Sequence, residues 1–573
     1  MPELPSPLLG GVARGLGLVA TQIGRWRAKR QSSPMWTAVV AVIVAVIMLP
    51  LVTVIVLALE PSDNIWPHLV ATVLPGSLLT TALLMLGAGF VTLVTGTATA
   101  WLVTMYRFPG RAIADRLLVL PLAMPTYIVA YCYVDVFDYA GPVQTALRAM
   151  IGASSARDYW FPEIRSLGGA IFLLSMVLYP YVYLTARASF VQQSVCALEV
   201  ARTLGRTPMG VFWAVALPLA RPAIAAGVSL VLMECLNDIG AVQYLGVKTL
   251  TASVYDTWLQ RSNLGGAAQL ACVMLALIAA LFAAERIARG QAQAHHTTGR
   301  YRSIPFQDLD GLSGYLATLV CLLPFALGFL LPFLILLGHA ILYGRAALEA
   351  GFLAAAWNSL TLSGLAAAVA TAIAVTLGYA RRVAANGFTR PAVRLAGLGY
   401  AVPGTVLALG LIVPLAAFDN GLDALLRQST GLSSGLLLSG SLFALALAYT
   451  IRFLAVGLGS VDAGLERISP NLDAASRALG ETALTTLMRV HLPLLLPALA
   501  SAGLLVFVDA MKELPATLLL RPFNFDTLAT HVYTFAALEQ FEEAALGALM
   551  IVLVGLIPVL LLHRAVAGGR PRS

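Results

Sequence analysis

A dozen apolar stretches, each long enough to cross a bilayer, alternate with short polar loops along almost the whole chain. A spanning helix needs about 20 apolar residues, and runs of that length lie near 36–59, 78–105, 116–138, 167–188, 222–245, 266–287, 313–342, 353–380, 394–417, 436–458, 497–520 and 542–565. Only 11% of the residues are charged, against roughly 25% in a soluble domain, and 59% are apolar. No water-facing surface can be assembled from so few charges. The sequence therefore predicts an all-α membrane protein of about twelve transmembrane helices.

The five cysteines carry no chemistry of their own. Cys132, Cys235, Cys272 and Cys321 sit singly in apolar runs, Cys196 lies in a polar loop, and no CxxC pair occurs. The formal charge of +8 is scattered over many loops rather than gathered into a nucleic-acid patch. With both termini placed in the cytoplasm, 27 of the 36 Lys and Arg residues fall on the inner side, as the positive-inside rule requires. Residues 1–35 form a basic cytoplasmic tail, residues 289–312 a polar cytoplasmic linker containing His295 and His296, and residues 567–573 a second tail. The linker divides the spans into two six-helix halves, 36–288 and 313–566.

The halves are related in sequence. Leu198-Glu199-Val200-Ala201-Arg202-Thr203-Leu204-Gly205, followed by Leu217-Pro218 and Pro222, returns 275 residues later. There it reads Asp473-Ala474-Ala475-Ser476-Arg477-Ala478-Leu479-Gly480, followed by Leu492-Pro493 and Pro497. The match runs on from Glu234, Asn237 and Asp238 to Asp509, Lys512 and Glu513, and Ala123-Met124-Pro125 is echoed by Ala401-Val402-Pro403. Six spans being an even number, both halves keep one membrane orientation, and an axis along the membrane normal relates them. Gly205 and Gly480 suit a turn with φ > 0, and Pro218 and Pro493 are expected to end an interfacial segment before the next span.

The loops near 196–222 and 471–497 resemble the EAA loops of ABC importer permeases. Their pattern is EAA, three residues, glycine, nine residues, then Ile-x-Leu-Pro. The first copy departs from it as Glu199-Val200-Ala201, and the second has its acid, Asp473, one position early. The resemblance implies the type I, MetI-like permease fold and coupling helices that dock on a separate cytoplasmic ATPase. Glu199, Ala201, Arg202, Gly205 and Pro218 would couple in one half, and Asp473, Ala475, Arg477, Gly480 and Pro493 in the other. The stretch Met511-Lys512-Glu513-Leu514-Pro515-Ala516-Thr517, together with Leu236-Asn237-Asp238-Ile239-Gly240-Ala241, is similar to fused permeases of bacterial ferric-iron importers. Thiamine and aminoethylphosphonate permeases share that fused plan.

Charges inside the membrane need a reason. Glu234 with Asp238, and Asp509 with Glu513, are spaced i and i+4, which on a continuous helix puts each pair on one face. With Asn237 and Lys512 they are candidates to line and gate a translocation pathway on the shared axis. Tyr127, Tyr131, Asp135 and Asp138 form a second stripe, with Tyr131 and Asp135 as candidate pathway oxygens. Its counterparts Thr405, Leu409, Val413 and Ala416 are not acidic or phenolic, so any such path is asymmetric. No stable metal site is expected.

Lys29, Lys248 and Lys512 are the only lysines, and none stands in a phosphate-loop motif. The chain is thus expected to bind no cofactor and to perform no enzymatic step. ATP would be used by two ATP-binding cassette ATPase subunits, and a periplasmic or surface-anchored binding protein would deliver substrate. The setting implied is a bacterial inner membrane, with the lipid bilayer as the other partner and no nucleic acid. The rival reading is a proton-coupled secondary transporter, whose intramembrane carboxylates would relay protons.

Overall fold

The computed structural model describes residues 34–193, Ala201, 203–289 and 306–567. Among them, eleven helices are long and apolar enough to cross a membrane. The span expected at 116–138 is different. It is a pair of helical segments, Arg111–Ala123 and Thr126–Ile151, bent by 96°. The cause is Pro125, which lacks an N–H and forces the preceding Met124 into an extended conformation (φ −89°, ψ 117°).

The expected spans 222–245 and 497–520 also change. Their helices begin earlier, running Pro208–Asn237 and Ala483–Met511, and stop before the acidic residues Asp238 and Glu513. Pro218 and Pro493 therefore do not end an interfacial segment. Each sits at the second position after a π-helical turn, Phe212–Ala216 or Leu487–His491, inside a helix that continues through it. A π turn widens the ladder just where proline withdraws a donor, so the helix need not break.

The described chain forms two compact units. Of the described residues, one unit comprises 34–50, Gly364–Tyr400 and Tyr449–Phe507, and the other those within Leu51–Ser363, Ala401–Ala448 and 508–567. These units cut across the sequence halves. Within the larger unit, helices Leu74–Met105, Leu167–Gln192 and Leu217–Asn237 approach closely at small residues. A methyl group added at Gly96 would lie 2.7 Å from Val182 Cβ, and one at Gly227 would lie 2.9 Å from Val182 Cα. Such contacts replace the hydrophobic drive that lipid cannot supply between helices. Apolar side chains such as Val42, Leu86 and Phe90 remain exposed, as a lipid-facing surface requires.

The repeat is visible in local geometry. Helix Leu74–Met105 corresponds to Leu353–Val383, each following a π turn, Leu69–Val73 or Leu348–Phe352. The Thr81 hydroxyl accepts from Leu250 N–H (2.9 Å), and at the matching place Ser359 accepts from Leu528 N–H (2.6 Å). Of the linker, residues 290–305 with His295 and His296 lie outside the described residues. Just beyond them Gln307–Asp308 pairs in parallel with Tyr106–Arg107, and the Arg111 guanidinium lies 4.0 Å from the centre of the Phe306 ring.

Candidate coupling elbows and intramembrane charges

Both repeated loops fold as an elbow of the same construction. In the second, helix Pro470–Ala478 is closed by Gly480 at φ +81°. Gly480 N–H donates to Arg477 O (3.0 Å) and Glu481 N–H to Ser476 O (3.1 Å), a Schellman closure that uses the last free carbonyls of the helix. Thr482 then caps the next helix by accepting from Thr485 N–H (3.2 Å). The described part of the first elbow repeats the glycine turn, the longer closing bond and the threonine cap. Gly205 stands at φ +79°, Arg206 N–H donates to Ala201 O (3.2 Å), and Thr207 accepts from Gly210 N–H (3.2 Å). Only a left-handed residue closes such a turn cheaply, which explains the glycine at both sites.

The elbows expose apolar side chains at equivalent positions. Leu204 and Leu479 are 78% and 84% exposed, and Met209 and Leu484 are exposed behind them. Ala475, Arg477 and Gly480 face outward as well, whereas Ala201 is buried. Glu199 and Arg202 lie outside the described residues. Asp473 turns inward: its carboxylate meets Arg382 Nε at 2.7 Å and His491 Nε2 at 2.6 Å.

Inside the membrane, the expected i, i+4 faces are not formed. Helix Leu217–Asn237 ends one residue before Asp238, and Leu492–Met511 ends two before Glu513, so each acid pair straddles a break. The second acid of each pair caps the short helix that follows. Asp238 accepts from Ala241 N–H (3.0 Å), Val242 N–H (3.1 Å) and the Thr126 hydroxyl, ahead of or within helix Gly240–Tyr244. Glu513 accepts from Ala516 N–H (3.1 Å) in helix Pro515–Leu520. A carboxylate at a helix start satisfies orphan donors and meets the positive end of the dipole. A break in a membrane helix is tolerable only with such partners.

The two breaks meet. A methyl at Gly240 would fall 2.7 Å from Leu514 Cδ2 and 2.7 Å from Tyr127 Cβ. Lys512 Nζ pairs with Asp509 Oδ1 at 2.9 Å and also feels the charges of Glu234 and Glu513. The structure thus brings together Glu234, Asp509, Lys512 and Glu513. Asn237, the counterpart of Lys512, is buried beside Asp238.

Tyr131 and Asp135 are engaged elsewhere. The Tyr131 ring stacks on Phe541 at 5.7 Å, and Asp135 Oδ2 lies 3.2 Å from His339 Nε2. One turn earlier on the same helix, Thr126 and Tyr127 face the first break. Sequence reasoning missed Thr126 and His339. His339 carried a usable signal, a lone ionisable group in an apolar span.

Residues 92–289 match the family of binding-protein-dependent transport system inner membrane components. The match covers most of the first half, which therefore carries the domain of this transport family. An Fe(3+)-transport system permease protein of Haemophilus influenzae is 27% identical over 494 residues, covering 84% of this permease and 88% of that protein. A putative ferric transport system permease protein of the same organism is 25% identical over 520 residues, 85% of this chain and 77% of the relative. A putative 2-aminoethylphosphonate transport system permease protein of Salmonella typhimurium is 28% identical over 217 residues, covering 37% of this permease but 74% of its own length. The long matches span both halves, which a repeat fused in one polypeptide requires.

Proposed function

We propose that this permease imports ferric iron across a bacterial inner membrane by alternating access, driven by two separate ATP-binding cassette ATPases. The single observation that carries the reading is the duplicated elbow. Two segments 275 residues apart share the Schellman glycine, the threonine cap, the π turn and an exposed leucine at the corner. An exposed apolar corner repeated in this way is what a docking surface for paired motor subunits needs. Both termini would then be cytoplasmic, with a binding protein delivering iron from outside. Iron as cargo is supported by the relatives that match over most of the chain, whereas the aminoethylphosphonate relative matches over little more than a third of it.

In this reading the meeting breaks at Asp238 and Glu513 line the pathway. Lys512, held between Asp509 and the field of Glu234, ties the two repeats across it. Pairing of this kind holds a closed path without caging the cation, which must leave again. ATP binding would draw the elbows together and shift the population toward the outward-open form.

Proteoliposomes holding the permease with its ATPase and binding protein provide the test. Ferric-iron uptake should require ATP, persist when the proton gradient is collapsed, and ignore excess 2-aminoethylphosphonate or thiamine. Uptake driven by the gradient without ATP would point to a secondary transporter. Competition by either compound would replace iron as the cargo.

A further inference from the structure

The second elbow is tied to its own membrane helices by an ionic clamp whose three ionisable residues are replaced by Thr104, Leu198 and Ala216 at the matching positions of the first half. Arg382, near the end of helix Leu353–Val383, is its centre. Its Nε donates to Asp473 Oδ2 (2.7 Å), one terminal nitrogen to Leu465 O (2.8 Å) and the other to Ile468 O (2.9 Å). Leu465 lies in the last turn of helix Leu442–Glu466, and Asp473 lies in the first turn of helix Pro470–Ala478. One guanidinium therefore closes the negative end of one helix and pairs with the acid at the positive end of the next, the sign that the helix dipole favours at each end.

The other oxygen of Asp473 meets the fully buried His491 at 2.6 Å, in the π turn that opens the following membrane helix. Tyr379, one turn before Arg382, packs its ring 5.2 Å from His491 and donates to Ala483 O (2.7 Å). Ser476 and Thr486 close the elbow across a buried 2.7 Å hydrogen bond. Four helices are thus joined through these side chains.

In the first half the matching residues are Thr104 for Arg382, Leu198 for Asp473, Ala216 for His491, Ala201 for Ser476 and Val211 for Thr486. Among the described residues that elbow is held by aromatic packing and by one buried amide, Gln193 Nε2 donating to Ala216 O (2.8 Å). Trp101 lies edge-on to Phe190 at 5.3 Å and tilted against Phe212 at 5.0 Å.

We propose that Arg382, Asp473 and His491 are positioning residues that make the second elbow a rigid lever, with Asp473 acting inward on its own chain and not as a contact to the ATPase. This rests on the reading of the elbows as ATPase-coupling segments. A buried ionic cluster suits such a lever. It has one geometry, and loss of one member leaves the others unpaired, whereas an aromatic cluster can slide.

The test compares two variants in the complete complex with ATPase and binding protein. H491A removes the donor to Asp473, and H491Q restores an amide N–H near the same place. In H491A the ATPase should still co-purify and hydrolyse ATP at close to the wild-type rate. Transport per ATP should fall about tenfold, within the usual range of coupling between sites, and H491Q should recover most of it. The triple variant R382T/D473L/H491A copies the first half and leaves no unpaired charge. It should fold, bind the ATPase and remain uncoupled.

Amide exchange of 470–478 in the solubilised permease alone should speed up in H491A and recover in H491Q. Wild-type transport per ATP in H491A or in the triple variant would overturn the clamp. So would loss of ATPase binding in a folded Asp473 variant. Failure of the wild-type complex to couple transport to ATP would instead strike the functional reading, and the exchange measurement would still judge the clamp.

Discussion

The two halves share one plan of helices yet brace equivalent joints with different side chains, ionic at the second and without charge at the matching positions of the first. Around the first elbow, Trp101, Phe190 and Phe212 form an apolar cluster, while Arg187 is spent on Asp115 at 2.7 Å. Around the second, Tyr379 stands for Trp101 and Asp462 for Arg187, and Asp462 pairs with Arg381 at 2.7 Å. The backbone turns were retained and the side chains that brace them were exchanged. Backbone geometry is therefore the common requirement of the two elbows, and stiffness is where they differ.

The sharpest way to break that comparison is Trp101→Ala. Trp101 is nearly buried and contacts both aromatic partners, so its removal leaves a cavity at the first joint. We expect a loss of about 3 kcal/mol in denaturant unfolding in mixed micelles. Tyr379→Phe, at the matching site, removes one hydrogen bond to Ala483 O and should cost about 1 kcal/mol. Equal costs would mean that the two joints are braced alike after all.

A second contrast lies in the third element of each half. In the first half, helix Thr126–Phe137 stops, Gly141 turns back on it, and Pro142 opens helix Pro142–Ile151. In the second half, Gly404–Thr430 runs on without a break, and Asp419 and Asn420 occupy the places of Gly141 and Pro142. A methyl at Gly141 would lie 2.6 Å from Val136 O and 2.7 Å from Asp135 O, both backbone atoms that cannot give way easily. Gly141→Ala should therefore cost about 2 kcal/mol, near the middle of the range for overpacking, and loosen the adjacent Asp135–His339 pair. An unchanged unfolding midpoint would show that the turn has room to relax.

Much of this plan was legible in the amino-acid sequence because it lies in local signals. Gly205 and Gly480, the paired prolines and the apolar runs each determine structure within a few residues. The bracing was not legible. Arg382, Asp473 and His491 come from three segments, and only the fold brings one carboxylate between the other two. The breaks at Asp238 and Glu513 were misread for a related reason. An acid four residues after another looks like one helix face until the following N–H groups are seen to need a cap.

The smallest effect concerns how each half secures the loop after its third element. In the second half, Asp423 accepts from the Ser433 hydroxyl (2.7 Å) and Ser434 N–H (2.8 Å). In the first, Asp158 accepts from Ser154 N–H (2.9 Å) and Ser155 N–H (2.8 Å). These backbone donors hold the Asp158 carboxyl below the usual carboxylate range. A depressed folded pKa means that the contribution is complete above the ordinary aspartate value. It disappears as pH falls through the lower, folded one. The exposed Trp160, two residues on, reports the loop. Its fluorescence should hold steady down to about pH 4, the ordinary aspartate value, and change below it. Asp158→Asn should show the acid-state signal at neutral pH while leaving transport unaltered. A wild-type transition above the ordinary aspartate range would reverse the sign of the coupling and remove the backbone N–H groups as its cause.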